Sequence, residues 1–209
     1  MGLAVLVGGA FIYKSRQEGP LTNQSVENPA AQSETADWKI YKNDKYGFTF
    51  EYPKGWLLEE KNMSYGDEIE IFTVISPEHD KQFEEDSKKE FFEGGYYYND
   101  FGVSYCKNIN TDCATGGDGK TSYSNIEEFL IAEERSSIIL KERSKILPYV
   151  NIGDLQGYGV IRIGLGANYE VMVEHNGIYL LDFPSSEGAE NYKLTPEQQH
   201  ILSSFRFTR

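Results

Sequence analysis

The chain has 209 residues, 39% of them hydrophobic, 25% charged and 14% aromatic. That composition excludes a wholly disordered chain, and the lack of an apolar run of ~18 residues excludes a polytopic helical membrane protein. With 20 basic against 33 acidic residues the formal net charge is -13, opposite to the basic footprint that nucleic-acid binding needs, so no nucleic-acid partner is expected.

Met1 to Tyr13 (MGLAVLVGGAFIY) carry no charge and precede Lys14 and Arg16. As a helix this run is about 20 Å long, short of a hydrocarbon core of about 30 Å. The basic region that opens a complete signal peptide does not precede it. Residues 1–16 are therefore expected to be the end of a membrane anchor or signal segment that starts upstream. The alternative is a short apolar helix packed on the domain. Lys14 and Arg16, coming after the run, weigh against export unless upstream lysines outweigh them. Residues 17–37 (QEGPLTNQSVENPAAQSETAD) hold no aromatic residue and no periodic apolar face, which predicts a flexible linker. Residues 38–209 are expected to form one folded domain.

Within that domain, Trp38 and Ile40 alternate with Lys39 and Tyr41, which predicts a short strand. Asn43-Asp44-Lys45 with Gly47 is turn chemistry. Phe48, Phe50 and Tyr52 alternate with Thr49 and Glu51 as a half-buried strand that Pro53 ends. Glu68–Ser76 predicts another strand, with Ile69, Ile71 and Thr73 on one face. Residues 78–93 hold seven acids and three lysines and read as a solvated helix or an insertion. Tyr96–Tyr98 and Phe101–Tyr105 suggest strand.

Ser124-Asn125-Ile126-Glu127 is a capping-box pattern that starts a helix to about Arg135. One or two strands follow between Tyr149 and Ile163, broken at Gly153 and Gly157. Asn176-Gly177 predicts a two-residue hairpin turn. In that register Val173 faces Leu180 and Val171 faces Asp182, and both sides of the hairpin are covered. Thr195-Pro196-Glu197-Gln198 combines an N-cap, an N1 proline and an N3 glutamine, and its helix buries Ile201 and Leu202. Strands joined mostly by hairpins, with few helices, give an α+β fold with an antiparallel sheet flanked by helices.

Several motifs imitate chemistry without its context. Ala114–Thr121 (ATGGDGKT) fits a loose phosphate-loop pattern, with Lys120 and Thr121 placed for phosphates and magnesium. It lacks the preceding buried strand, the helix starts only at Ser124, and Asp182 lies on a hairpin. Asn108, Asn110 and Asp112 have the alternate spacing of a calcium loop, but Cys113 stands where glycine belongs and Gly119 where glutamate belongs. His79, His175 and His200 share no metal-ligand spacing. No catalytic residue, cofactor or metal site is expected, and among the many carboxylates nothing selects a buried acid/base pair. Cys106 and Cys113 flank turn-forming residues and are expected to form a disulfide in an oxidising compartment.

Tyr41, Tyr46-Gly47-Phe48, Phe50, Tyr52-Pro53 and Trp56 together resemble the opening motif of the PsbP-like family, and Ile201–Phe207 (ILSSFRF) is similar to its C-terminal helix and strand. That family includes many anchored bacterial proteins of unknown role. The resemblance implies an α/β/α sandwich around an antiparallel sheet and no shared catalytic set. The 78–93 segment and the cysteine loop depart from the pattern, so no partner or metal site is carried over. The expectation is a monomeric, membrane-anchored, extracytoplasmic binding or scaffolding module whose partner is a protein or an envelope component. The alternative is an enzyme or transport accessory with a small-molecule cleft on the sheet.

Overall fold

The computed structural model describes residues 37–65, 68–89, 98–110, 123–136, 144–163, 167–185 and 192–208. The expectations for residues 1–36, for 90–93, for Tyr96 and Tyr97, for the glycine-rich loop 114–121, and for Asp112 and Cys113 lie outside the described residues.

Among the described residues, ten strands and three helices follow in the order β1 (Trp38–Asn43), β2 (Phe48–Pro53), β3 (Leu57–Tyr65), β4 (Glu68–Ile75), α1 (Pro77–Asp86), β5 (Phe101–Cys106), α2 (Ile126–Ser136), β6 (Ser144–Ile152), β7 (Leu155–Ile163), β8 (Ala167–Glu174), β9 (Ile178–Ser185), α3 (Pro196–Ser204) and β10 (Arg206–Phe207). They make a seven-stranded sheet, β3-β4-β5-β9-β8-β7-β6, and a three-stranded sheet, β1-β2-β10. Every strand pair is antiparallel. The fold is α+β, as the hairpin pattern indicated.

The small sheet begins at a tight turn. Asn43 Oδ1 accepts the Tyr46 N–H at 3.0 Å and its carbonyl accepts the Gly47 N–H at 2.8 Å. Gly47 has φ +67°, a conformation that favours glycine. Alternation along β2 buries Phe48 and Phe50. On β1 the short strand forms as expected, with Ile40 72% exposed. The register pairs Ile40 with Glu51 and Tyr41 with Phe50, so Tyr41 turns inward against Phe48, Phe50 and Phe72, with ring centroids 5.2–6.1 Å apart.

Strand β3 was not foreseen. It is an edge strand with a single neighbour and a bulge between Glu60 and Met63, where Asn62 has φ 53°, so the two-residue alternation that would announce it is broken. A second bulge, between Glu70 and Phe72, overturns the face expected for β4. Phe72 and Val74 join the core with Ile71, and Thr73 lies on the other face opposite Gly102. Gly153, with φ 61°, turns β6 into β7. Gly157 does not break β7. It packs inside the sheet, where a Cβ would come 2.9 Å from Val171 Cγ1.

The β8–β9 hairpin stands where Asn176-Gly177 placed it, in a different register. The loop has three residues, His175-Asn176-Gly177, with Asn176 at φ 53° and Gly177 at φ 143°. The pairs are Val173 with Tyr179, Val171 with Leu181 and Glu170 with Asp182. Both faces of the hairpin are covered. Tyr169, Val171, Val173, Tyr179, Leu181 and Phe183 meet Phe48, Phe50 and Phe205. Met172, Ile178 and Leu180 on the opposite face pack with Ile126, Phe129 and Leu130 of α2. One layer over the large sheet is therefore a helix, and the other is the small sheet with α3.

Local caps set the helix starts. Thr195 and Gln198 form the expected reciprocal capping box of α3, which buries Ile201 and half-buries Leu202. The α2 cap lies one residue later than expected: Asn125 Oδ1 accepts the Glu128 N–H at 2.8 Å, and Glu128 reaches back to the Ser124 N–H at 2.8 Å. Helix α1 buries no residue, the solvated helix that its charge run suggested.

Candidate functional site

Four chain segments converge at one end of the sheets around a cleft of about 510 Å³. The β1–β2 turn brings Lys42, Asp44, Lys45, Tyr46 and Gly47. The β8–β9 hairpin brings His175, Asn176 and Tyr179, while Tyr105 and Thr208 close the wall. The turn and the C-terminus are tied together, because the Thr208 N–H donates to the Gly47 carbonyl at 2.8 Å.

The aromatic wall is stiff. The rings of Tyr46 and Tyr105 are 5.5 Å apart, those of Tyr105 and Tyr179 5.1 Å, and those of Tyr179 and Phe207 4.9 Å. The Tyr179 hydroxyl donates to the Tyr46 carbonyl at 2.7 Å, and the Tyr105 hydroxyl to the Asn176 carbonyl at 3.1 Å. Burial pushes the Tyr179 phenol up to about 12, so it stays neutral across the physiological range. Gly177 admits this packing, since a Cβ there would overlap the Tyr105 ring. His175 lies against Phe207 with centroids 4.5 Å apart.

A second polar group lies on the face of the large sheet that α2 flanks. Arg162 donates to Glu170 Oε1 from Nε at 3.2 Å and from Nη2 at 3.0 Å. Asn168 donates to Asp182 Oδ1 at 2.8 Å. Burial, reinforced by the neighbouring Glu170 charge, holds the Asp182 carboxyl well above the ordinary carboxylate range. These are the paired carboxyl groups that no sequence feature selected. The available signal was an acid within each of YEVMV and YLLDF, runs whose neighbouring residues are buried on both faces.

The three histidines are separate. His79 Nδ1 lies 3.0 Å from the buried Asp100 carboxylate. His200 stacks on Trp38 with ring centroids 3.9 Å apart and meets Glu51 at 2.7 Å. Only His175 lines the cleft. Asn108 and Asn110 are engaged by the backbone: Asn108 accepts the Asn110 N–H at 2.9 Å, and Asn110 brackets Tyr123 with bonds of 2.6 and 3.1 Å. Cys106 ends β5, fully buried beside Ile109 and Ile178.

No family model matches the chain, and no curated protein matches it. Among solved structures it is similar to the solution structure of cyanobacterial PsbP (CyanoP) from Synechocystis sp. PCC 6803. The identity is 12% and the TM-score 0.42, over 90% of this chain and 99% of that one. No residue role is carried over from it.

Proposed function

We propose that this chain is a binding or scaffolding module rather than an enzyme. It works outside the cytoplasm, anchored at the membrane by residues 1–16 through the linker 17–37, and engages a protein or envelope partner through the cleft. A Cys106–Cys113 disulfide orders the hydrophilic loop between β5 and α2. The observation that carries the reading is the cleft itself: two turns fixed on sheet ends, with the phenol hydroxyls of Tyr105 and Tyr179 committed to backbone carbonyls. Such a wall is preorganised, which lowers the ordering cost of binding.

Position supports the same reading. Trp38, where the domain continues from the linker, lies at the opposite end of β1 from the 43–47 turn. A strand of that length spans about 17 Å. The cleft is therefore set apart from the point of attachment. For the disulfide, the support is the burial of Cys106, the Asn110–Tyr123 bracket across the loop base, and the finding of no free cysteine among the described residues. The concave form of the cleft also favours the second reading, a small-molecule-binding accessory, because its volume falls in the usual range of ligand sites, about 300–1,000 Å³.

The test is capture from native membranes by the full chain, with Lys45→Glu in the cleft and Lys193→Glu, also exposed, as a charge-matched control. The reading expects one set of partners with the native chain and the control, lost with Lys45→Glu. Equal recovery by all three contradicts it.

A further inference from the structure

Five of the described lysines, Lys42, Lys54, Lys61, Lys81 and Lys89, each meet a carboxylate. Lys45 does not: its ammonium lies 4.6 Å from the Tyr46 ring centroid, with no carboxylate partner among the described residues. In the cleft, Lys42 and Asp44 cancel one another at 2.6 Å, which leaves Lys45 as the uncompensated charge. The other polar side chains at the rim, His175, Asn176 and Thr208, are all able to donate hydrogen bonds. A chain of net charge -13 thus carries a locally positive, donor-rich concavity. At physiological ionic strength charges beyond about 8 Å are largely screened, so the local lysine, and not the remote acids, governs what enters.

We propose that the cleft receives an anionic group, a carboxylate or a phosphate, with Lys45 as its charge partner and Asn176 and Thr208 as donors. The inference rests on the cleft being the binding site. Lysine serves here as a point charge, which suits a group of variable orientation better than bidentate recognition does.

The experiment titrates the full chain, in phosphatidylcholine nanodiscs at constant ionic strength, with inorganic phosphate and with succinate, following tyrosine fluorescence and backbone NMR shifts of residues 43–47 and 175–177. Saturable binding is expected, weakened about tenfold or more by Lys45→Glu and unchanged by Lys193→Glu. Nanodiscs of phosphatidylglycerol separate the sources: weaker apparent binding of free phosphate there identifies the headgroup as a competitor for the same site. No saturable binding of either anion, or binding that Lys45→Glu leaves unchanged, overturns the proposal. If neither anion binds while Lys45→Glu still abolishes partner capture, the ligand class is wrong and the cleft reading stands. If capture is also unaffected, both fall.

Discussion

Glu170 on β8 and Asp182 on β9 stand directly opposite each other, and Arg162 on β7 donates to Glu170 from the neighbouring strand. Asp182 accepts from the Asn168 amide. Like charges at opposed sheet positions repel, and burial raises the Asp182 pKa. The unfolded chain loses the Asp182 proton near 3.8, while the folded chain keeps it to higher pH. Across that interval the folded state binds more protons, so stability falls as pH rises and is level below it.

Asp182→Asn, which cannot ionise, should therefore be at least as stable as the native chain near neutrality, and its stability should depend less on pH. Glu170→Gln should cost about 1.5–3 kcal/mol, because it removes the charged acceptor of the Arg162 hydrogen bonds. Urea denaturation between about pH 5 and pH 9 checks both. Parallel pH profiles for the native chain and Asp182→Asn contradict the assignment.

His79 governs the attachment of α1, which has no buried residue of its own. The Asp100 carboxylate accepts the Ser76 N–H at 2.6 Å and faces His79 Nδ1 at 3.0 Å. The Asp100 carboxylate at that distance raises the His79 pKa above 6.5. Its contribution is fully present below the unfolded value and is lost as pH rises through the folded one. Hydrogen exchange of residues 77–86, corrected for intrinsic rates, should show protection falling through that window in the native chain and not in His79→Gln. A fall of the same size in both would assign the effect elsewhere.

Gln198 joins α3 to two other segments. Its Nε2 donates to the Asp100 carbonyl at 3.0 Å and its Oε1 accepts the Thr195 N–H at 3.0 Å. Gln198→Leu leaves both backbone groups without these partners and should cost about 2–3 kcal/mol. Thr195→Ala, which removes only the cap, should cost about 1 kcal/mol. Equal losses in thermal or urea melts would show that the Asp100 bond contributes nothing.

What the sequence disclosed followed the range of the interaction. The Thr195–Gln198 cap is fixed within four consecutive residues and was legible in full. The site of the β8–β9 turn was legible from Asn176-Gly177, but its register was not, because His175 joins the loop. That one-residue difference makes Glu170, and not Val171, the neighbour of Asp182. Bulges at Glu70/Phe72 and Glu60/Met63 erase alternation without any local residue signature. The cleft was illegible, since Lys45, Tyr105 and Asn176 meet only through the strand order.

The Cys106–Cys113 bond should be present in chain recovered from an oxidising compartment. Closing a loop of this length is worth about 2.5 kcal/mol by chain entropy. Intact mass with alkylation, before and after reduction, decides it. The expected result is no alkylation until reductant is added, and two labelled thiols in the unreduced folded protein would remove both the bond and its support for an extracytoplasmic location.

The most direct test of the binding cleft is site-specific photo-crosslinking in native membranes. A photoreactive residue replaces Asn176 at the cleft rim or, in a separate chain, Tyr149, which is 52% exposed on the edge strand β6. A discrete adduct from position 176, suppressed by Lys45→Glu, and none from position 149 is the predicted result. Adducts from position 149 with none from position 176 would contradict the cleft as the surface this module uses.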